Sequence, residues 1–334
     1  MRHTYRSVIV TALALALAGC SGFPQPGPGL SDGRGNATTS FGRARAPATT
    51  SKRVTYYYQT QYSGGVYVSL SPIWKTVNPR THKPYVTDVI VAAFHLGYDS
   101  HNVPYIHLND NPPGDPMFDV MWPEVAKLQG LGITARMMLG GAAQGSYADL
   151  FSQWHTFYPI LKQTIVHYKL NGIDLDVEEN VSLANIERLI NRLHADFGPS
   201  FFITLAPVAS ALWGGANLSG FDYKQLYHSS SGAYIAWFNG QFYSGFASLG
   251  STSDYDRVIA FGYPPDKVVA GMIANPADGF GFVPIPTVAN TVAQLVGKYP
   301  TFGGVSAWEY FNADPGGPSK PAKWSAVMGK AMGL

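Results

Sequence analysis

The chain has 334 residues, 46% of them hydrophobic and 13% charged, a globular composition long enough for one large single-core domain or two ordinary ones. Lys and Arg number 23 against 21 Asp and Glu, and the formal charge of +2 gives no footing for a polyanionic partner such as nucleic acid. Cys20 is the only cysteine, which excludes an intrachain disulfide and leaves the fold to core packing.

The chain opens with Arg2 and Arg6 ahead of an apolar run from Val8 to Ala18, closed by Leu17-Ala18-Gly19-Cys20. That is the pattern of a bacterial lipoprotein signal, in which cleavage exposes Cys20 for acylation. An ordinary secretory leader is the alternative, and the run is too short to span a bilayer under either reading. Export is therefore expected, with Cys20 as a lipid anchor to a membrane. Residues 20–52 are rich in Gly, Pro, Ser, Thr and Ala and read as a flexible tether, because they cannot bury enough apolar surface to offset chain entropy.

From Arg53 the pattern alternates short apolar strands with amphipathic helices. The strands are expected at Val54–Gln59, Val86–Leu96, Thr134–Gly140, Gly172–Glu178, Phe201–Ala206, Ile235–Tyr243, Val268–Ile273 and Gly303–Trp308. Helices are expected around Trp122–Leu131, Leu150–Tyr168, Ser182–Phe197, Asp222–Tyr227, Tyr255–Gly262, Val288–Tyr299 and Trp324–Met332, with an irregular first crossover over Tyr67–Tyr85. Eight such strands without a glycine-rich dinucleotide loop after the first one, and without a G-x-x-x-x-G-K motif, predict an α/β fold. The form expected is a single (β/α)8 TIM barrel over residues 53–334, preceded by the signal (1–19) and the tether (20–52). In such a barrel the chemistry gathers at the carboxyl ends of the strands.

The fourth strand carries the string NGIDLDVEE, residues 171–179. A period of two puts Asp174, Asp176 and Glu178 on one face and Ile173, Leu175 and Val177 on the other. Like charge and burial both favour the protonated form, so one of the three acids should hold a proton near neutral pH and could act as a general acid. Three acids in register would be an expensive way to gain stability, which favours a catalytic role. Glu179 points the other way and reads as a loop or helix-start residue. A metal site ranks below acid catalysis, because no nearby His or second acidic cluster supplies further ligands, and no cofactor is expected.

NGIDLDVE resembles the D-x-x-D-x-D-x-E strand of the family 18 glycoside hydrolases, the group of chitinases and many endo-β-N-acetylglucosaminidases. Met138-Leu139-Gly140-Gly141 is similar to the end of that family's third strand, Thr204-Leu205-Ala206-Pro207 to its fifth, and Asn239-Gly240-Gln241-Phe242-Tyr243 to its sixth. Trp308 in GGVSAWEY sits where the eighth strand carries an indole. Stretches such as IHLNDNPPGDP and SDYDRVIAFGYPPDKVVAG look most like a fungal-type endo-β-N-acetylglucosaminidase branch. The chain departs from the family pattern at Asn171, in place of the first Asp, and at Met138, in place of a Ser.

The resemblance implies substrate-assisted, retaining cleavage of β-1,4 bonds between GlcNAc units. Glu178 would be the acid, Asp176 would stabilise the substrate acetamide, Asp174 would lie behind it, and Tyr243 would bond the acetamide oxygen. Gln241, Asn239 and Trp308 would bind the sugar. An N-glycan chitobiose core is the expected substrate, chitin the alternative, and a non-catalytic glycan-binding barrel the other class. Tyr243 with Gln241, and Trp308, read alternatively as core packing. His95 reads equally as a supporting donor or a structural histidine, and Asn109 and Asp110 as cleft or turn residues. A monomer is expected.

Overall fold

The computed structural model describes residues 52–334; the signal segment, Cys20 and residues 20–51 of the tether lie outside the described residues. Eight parallel strands close into a barrel. They are β1 (Arg53–Tyr58), β2 (Asp88–Tyr98), β3 (Thr134–Gly140), β4 (Gly172–Asp176), β5 (Phe202–Leu205), β6 (Ile235–Gln241), β7 (Val268–Ile273) and β8 (Gly304–Trp308). Each pairs with the next, and closure comes from β1 pairing with both β8 and β2, through Arg53 opposite Gly304 and Thr55 opposite Asp88. All eight expected strands are present, in chain order.

The helices follow from local chemistry. Ser182 accepts a hydrogen bond from the Asn185 amide at 3.2 Å and starts the helix Leu183–Phe197, which buries Ile186, Leu189, Ile190 and Leu193 at helical spacing and ends at Gly198. Asp222 starts Tyr223–His228 in the same way, accepting from the Gln225 amide at 2.8 Å. The helix expected over Leu150–Tyr168 is in fact two, Ser146–Ser152 and Trp154–His167. Gln153, at φ −130° and ψ 52°, leaves the helical region and caps the second one with its carbonyl, while its side chain donates to the Tyr98 hydroxyl. A strand absent from the expected set, Pro104–Leu108, pairs antiparallel with the overlong end of β2, His95 opposite His107 and Gly97 opposite Tyr105.

The main core lies between barrel and helices. The barrel interior differs: Arg53 and Arg136 both lie over the Trp237 ring, at 3.9 and 4.6 Å, and Arg136 sits 3.4 Å from Asp88. Nearer the carboxyl ends, Tyr57, Ile90, Ala92, Ala93 and Met138 form an apolar layer with Trp308 packed against it. Among the described residues no helix is long and apolar enough to cross a membrane.

Candidate active site

The alternation read from the sequence holds along β4. Ile173 and Leu175 join the outer core, while Asp174 (0% exposed) and Asp176 (6%) are buried on the inner face. Three donors surround Asp174. Its Oδ2 accepts from the Tyr57 hydroxyl at 2.7 Å, and its Oδ1 accepts from Thr204 Oγ1 at 2.5 Å and Asn239 Nδ2 at 2.9 Å. Two of these orientations are dictated from below. The Trp237 indole N–H can only donate, and it donates to Asn239 Oδ1 at 2.9 Å, so the amide must turn its NH2 toward Asp174. Arg136 likewise only donates, to Thr204 Oγ1 at 2.8 Å, which leaves the threonine hydrogen for the acid.

Strand pairing ends at Asp176, two residues before the expected end, so Glu178 stands on the loop beyond it and is half-buried. The two acids still meet. Gln241, the last residue of β6, places its Nε2 at 3.1 Å from Asp176 Oδ1, 3.1 Å from Glu178 Oε1 and 2.9 Å from the Ala206 carbonyl. Burial, with the charges of Glu178 and Asp174, pushes the Asp176 carboxyl well above its ordinary range, and burial raises Glu178; the Gln241 donor works against both shifts. The pair can therefore hold a proton at pH values where a free carboxyl would have lost it.

Tyr243 lies two residues past the end of β6, not within it, and is half-buried; burial and the charges of Asp176, Glu178 and Asp174 push its hydroxyl well up, so it stays a neutral donor. Trp308 is the last residue of β8, half-buried, with its ring 5.6 Å from that of Tyr57. Tyr57, Asp176, Asn239, Gln241, Tyr243 and Trp308 line one pocket at the carboxyl ends of the strands. Its aromatic lining, Tyr57, Tyr243 and Trp308, offers flat faces of the kind on which sugar rings stack. Asn239 is part of the pocket wall with its amide engaged by Trp237 and Asp174. Among the described residues no three His, Cys, Asp or Glu side chains converge in a way that could hold a metal ion.

The remaining singled-out residues divide. Asn109 donates to the Gln59 carbonyl at 2.9 Å and to Gln61 at 2.7 Å, tying its loop to the end of β1, while Asp110 is exposed. His95 stacks on His107 at 5.4 Å with Nδ1 3.2 Å from Ser146 Oγ, and burial with the neighbouring imidazole lowers its pKa to about 4, so it is a neutral partner in that stack. Asn171 stands at the opposite end of β4 from Asp176, where its Oδ1 accepts from the Ala135 amide at 2.9 Å. Met138 belongs to the apolar layer under the pocket. Tyr57, Arg136 and Trp237 were not legible as site residues, and Thr204 was legible only as the first residue of the fifth-strand motif Thr204-Leu205-Ala206-Pro207. Of the other three, only Tyr57, an aromatic next to the end of a strand, carried any signal.

No family model matches the chain. A fungal endo-β-N-acetylglucosaminidase from glycosyl hydrolase family 18 is 43% identical, with a TM-score of 0.76 over 84% of this chain and 97% of that one. A chitinase of Aspergillus fumigatus is also 43% identical, with a TM-score of 0.73 over 84% of this chain and 99% of its own. Chitinase 2 of Rhizopus oligosporus is 28% identical over 207 residues, 56% of this chain; the match spans 35%, about a third, of that protein's length.

Proposed function

The chain belongs to family 18 of the glycoside hydrolases, and from that premise we propose that it is a retaining endo-glycosidase that cuts β-1,4 bonds between GlcNAc units with the help of the substrate's own acetamide. The observation that carries this reading is the Gln241 amide shared between Asp176 and Glu178 at the carboxyl end of the barrel, beside Tyr243 and Trp308.

Glu178, with its carboxyl raised by burial, gives its proton to the glycosidic oxygen as the C–O bond breaks. The acetamide oxygen closes onto the anomeric carbon and forms a cyclic oxazolinium, so no enzyme nucleophile is needed. Asp176 faces the acetamide nitrogen, on which positive charge develops, and the neutral Tyr243 hydroxyl donates to the acetamide oxygen. Glu178, now a carboxylate, takes a proton from water, which opens the ring from the face the leaving group vacated and restores the original configuration. Trp308 stacks under the sugar, with Gln241 and Asn239 completing the wall. Asp174 stays behind Asp176, held by Tyr57, Thr204 and Asn239.

The N-glycan chitobiose core is the first substrate reading, supported by the similarity to the fungal endo-β-N-acetylglucosaminidase; the equal identity to the Aspergillus chitinase supports chitin oligomers as the second. Incubation with a high-mannose glycoprotein and, separately, with chitotetraose distinguishes them by which one releases product. A β-1,4-glucan oligomer, which has a hydroxyl in place of the acetamide, should survive intact; its hydrolysis would overturn the substrate-assisted mechanism. Glu178→Gln should lower kcat by about 10²–10⁴-fold, and full turnover by that variant would leave only a glycan-binding role for this acid. Export, with Cys20 as a lipid anchor, completes the proposal and is tested by metabolic labelling with a fatty acid in the wild type and Cys20→Ser.

A further inference from the structure

Glu179, set aside by the strand period, is bonded more heavily than the acid beside it. Its Oε1 accepts from the amides of Gly145 at 3.1 Å and Tyr147 at 2.9 Å, and its Oε2 from the amide of Ala148 at 3.2 Å. These amides open the helix Ser146–Ser152, whose own preceding residue, Gly145, has no side chain with which to cap it. The cap is supplied from the neighbouring loop instead.

The same loop is tied at the two residues before. Gln144 Nε2 donates to the Glu178 carbonyl at 2.8 Å, and Ser219 Oγ donates to the Val177 carbonyl at 2.6 Å. Sheet pairing of β4 stops at Asp176, so the ladder does not reach Glu178. Its backbone is held by these contacts. The loop after β3 is itself fixed to β2, where Ser146 Oγ accepts from the Leu96 amide at 3.2 Å.

We propose that Glu179 is a positioning residue: its carboxylate clamps the loop after β4 to the helix after β3, and the clamp sets the peptide of Glu178 so that its carboxyl meets the leaving oxygen. The inference rests on the reading of Glu178 as the general acid. A proton donor works only within hydrogen-bond reach of its target, and displacement by about 1 Å can lose about 10²-fold in rate. Glu179 touches no reacting atom; it acts through the chain.

The test compares kcat/KM on two substrates sharing one glycan: the natural oligosaccharide, whose sugar hydroxyl must be protonated to leave, and the matching para-nitrophenyl glycoside, whose phenolate leaves without a proton. This ratio reports the step in which the leaving group departs. Glu179→Ala should lower it by about 10- to 100-fold on the oligosaccharide and by less than about threefold on the aryl glycoside. Glu179→Gln, which keeps one acceptor oxygen, should fall between. Equal losses on the two substrates, or none, would overturn the proposal. Should Glu179→Ala fail to fold, Gln144→Ala, which removes only the bond to the Glu178 carbonyl, must show the same selective loss, and a flat response there overturns it equally. Glu178→Gln is the reference: if that variant does not discriminate between the substrates, the acid assignment falls, whatever Glu179 does.

Discussion

Gln241 holds one amide nitrogen 3.1 Å from Asp176 and 3.1 Å from Glu178, so a single side chain bridges the two acids. Its two N–H hydrogens serve three acceptors, the third being the Ala206 carbonyl. Donation favours the charged form of both carboxyls, against a burial that raises them. Gln241→Met removes the donor and keeps the length. Both ionisations of the pair should then move up, and the bell of kcat/KM against pH should shift as a whole to higher pH with a lower maximum. An unshifted bell in the variant would show that Gln241 does not hold the pair.

Glu309 follows Trp308 directly and is 4% exposed. It accepts from the amides of Gln59 and Thr60, at 3.1 and 2.8 Å, and from Thr60 Oγ1 at 2.7 Å. Burial pushes its pKa from 4.5 up to about 7. A raised folded-state value means that the native protein binds the proton more tightly than the unfolded chain, so this group's contribution to stability falls as pH rises from 4.5 through about 7. Glutamine fits the same contacts, its oxygen taking the two amides and its NH2 donating to Thr60 Oγ1 once that hydroxyl turns. Glu309→Gln should therefore melt higher than the wild type at about pH 8, with the difference fading toward about pH 5. A variant no more stable at the higher pH would count against a buried charge there.

Asn239 carries the link from the Trp237 indole to Asp174, with 2.9 Å on each side. Asn239→Ala leaves a buried N–H without an acceptor and removes one of the donors to Asp174, which should cost about 1–3 kcal/mol in denaturant unfolding. Asn239→Asp keeps the bond from the indole and sets a second carboxylate against Asp174. Its stability deficit should be larger at alkaline than at acidic pH, since only the ionised form repels. A pH-independent deficit would argue against direct contact between the two groups.

Gly140, at φ +93°, brings the end of β3 against β4, where a Cβ would overlap the backbone oxygen of Asp176 and the Tyr147 ring. Gly140→Ala should lose about 2–4 kcal/mol from left-handed strain and overpacking together, and activity with it, because the atom displaced is the backbone oxygen of Asp176. Gly297, near the end of the helix Ile285–Lys298, has open space around it, and Gly297→Ala should be neutral or stabilising by up to about 1 kcal/mol. Chemical denaturation of the two variants side by side checks both.

The eight strands were legible because a barrel strand is a short apolar run between polar turns, and that pattern depends on nearest neighbours along the chain. Strand ends were less so. Glu178 and Tyr243 were read as strand residues, and both stand past the last paired residue, because whether a residue pairs depends on a neighbour strand distant in sequence. The break at Gln153 and the Pro104–Leu108 strand eluded the pattern for a similar reason: one accompanies a bond to Tyr98, and the other exists only by pairing with β2.

By itself the sequence determined the inward and outward faces of β4, the barrel class and the family, since alternation and motif spacing are properties of the chain. Only the tertiary structure decided what those acids touch. Tyr57, Thr204 and Asn239 come from three other strands to converge on Asp174, and Gln241 from β6 to bridge Asp176 and Glu178, across sequence separations of 30 to 117 residues. Glu179 shows the difference most directly. Alternation excluded it from the pocket, but Glu179 stands on the loop past the last paired residue of β4, and its partners are the amides of a helix more than thirty residues away. Hydrogen bonds of that kind depend on where closure of the barrel brings two loops together, and a linear pattern does not encode it.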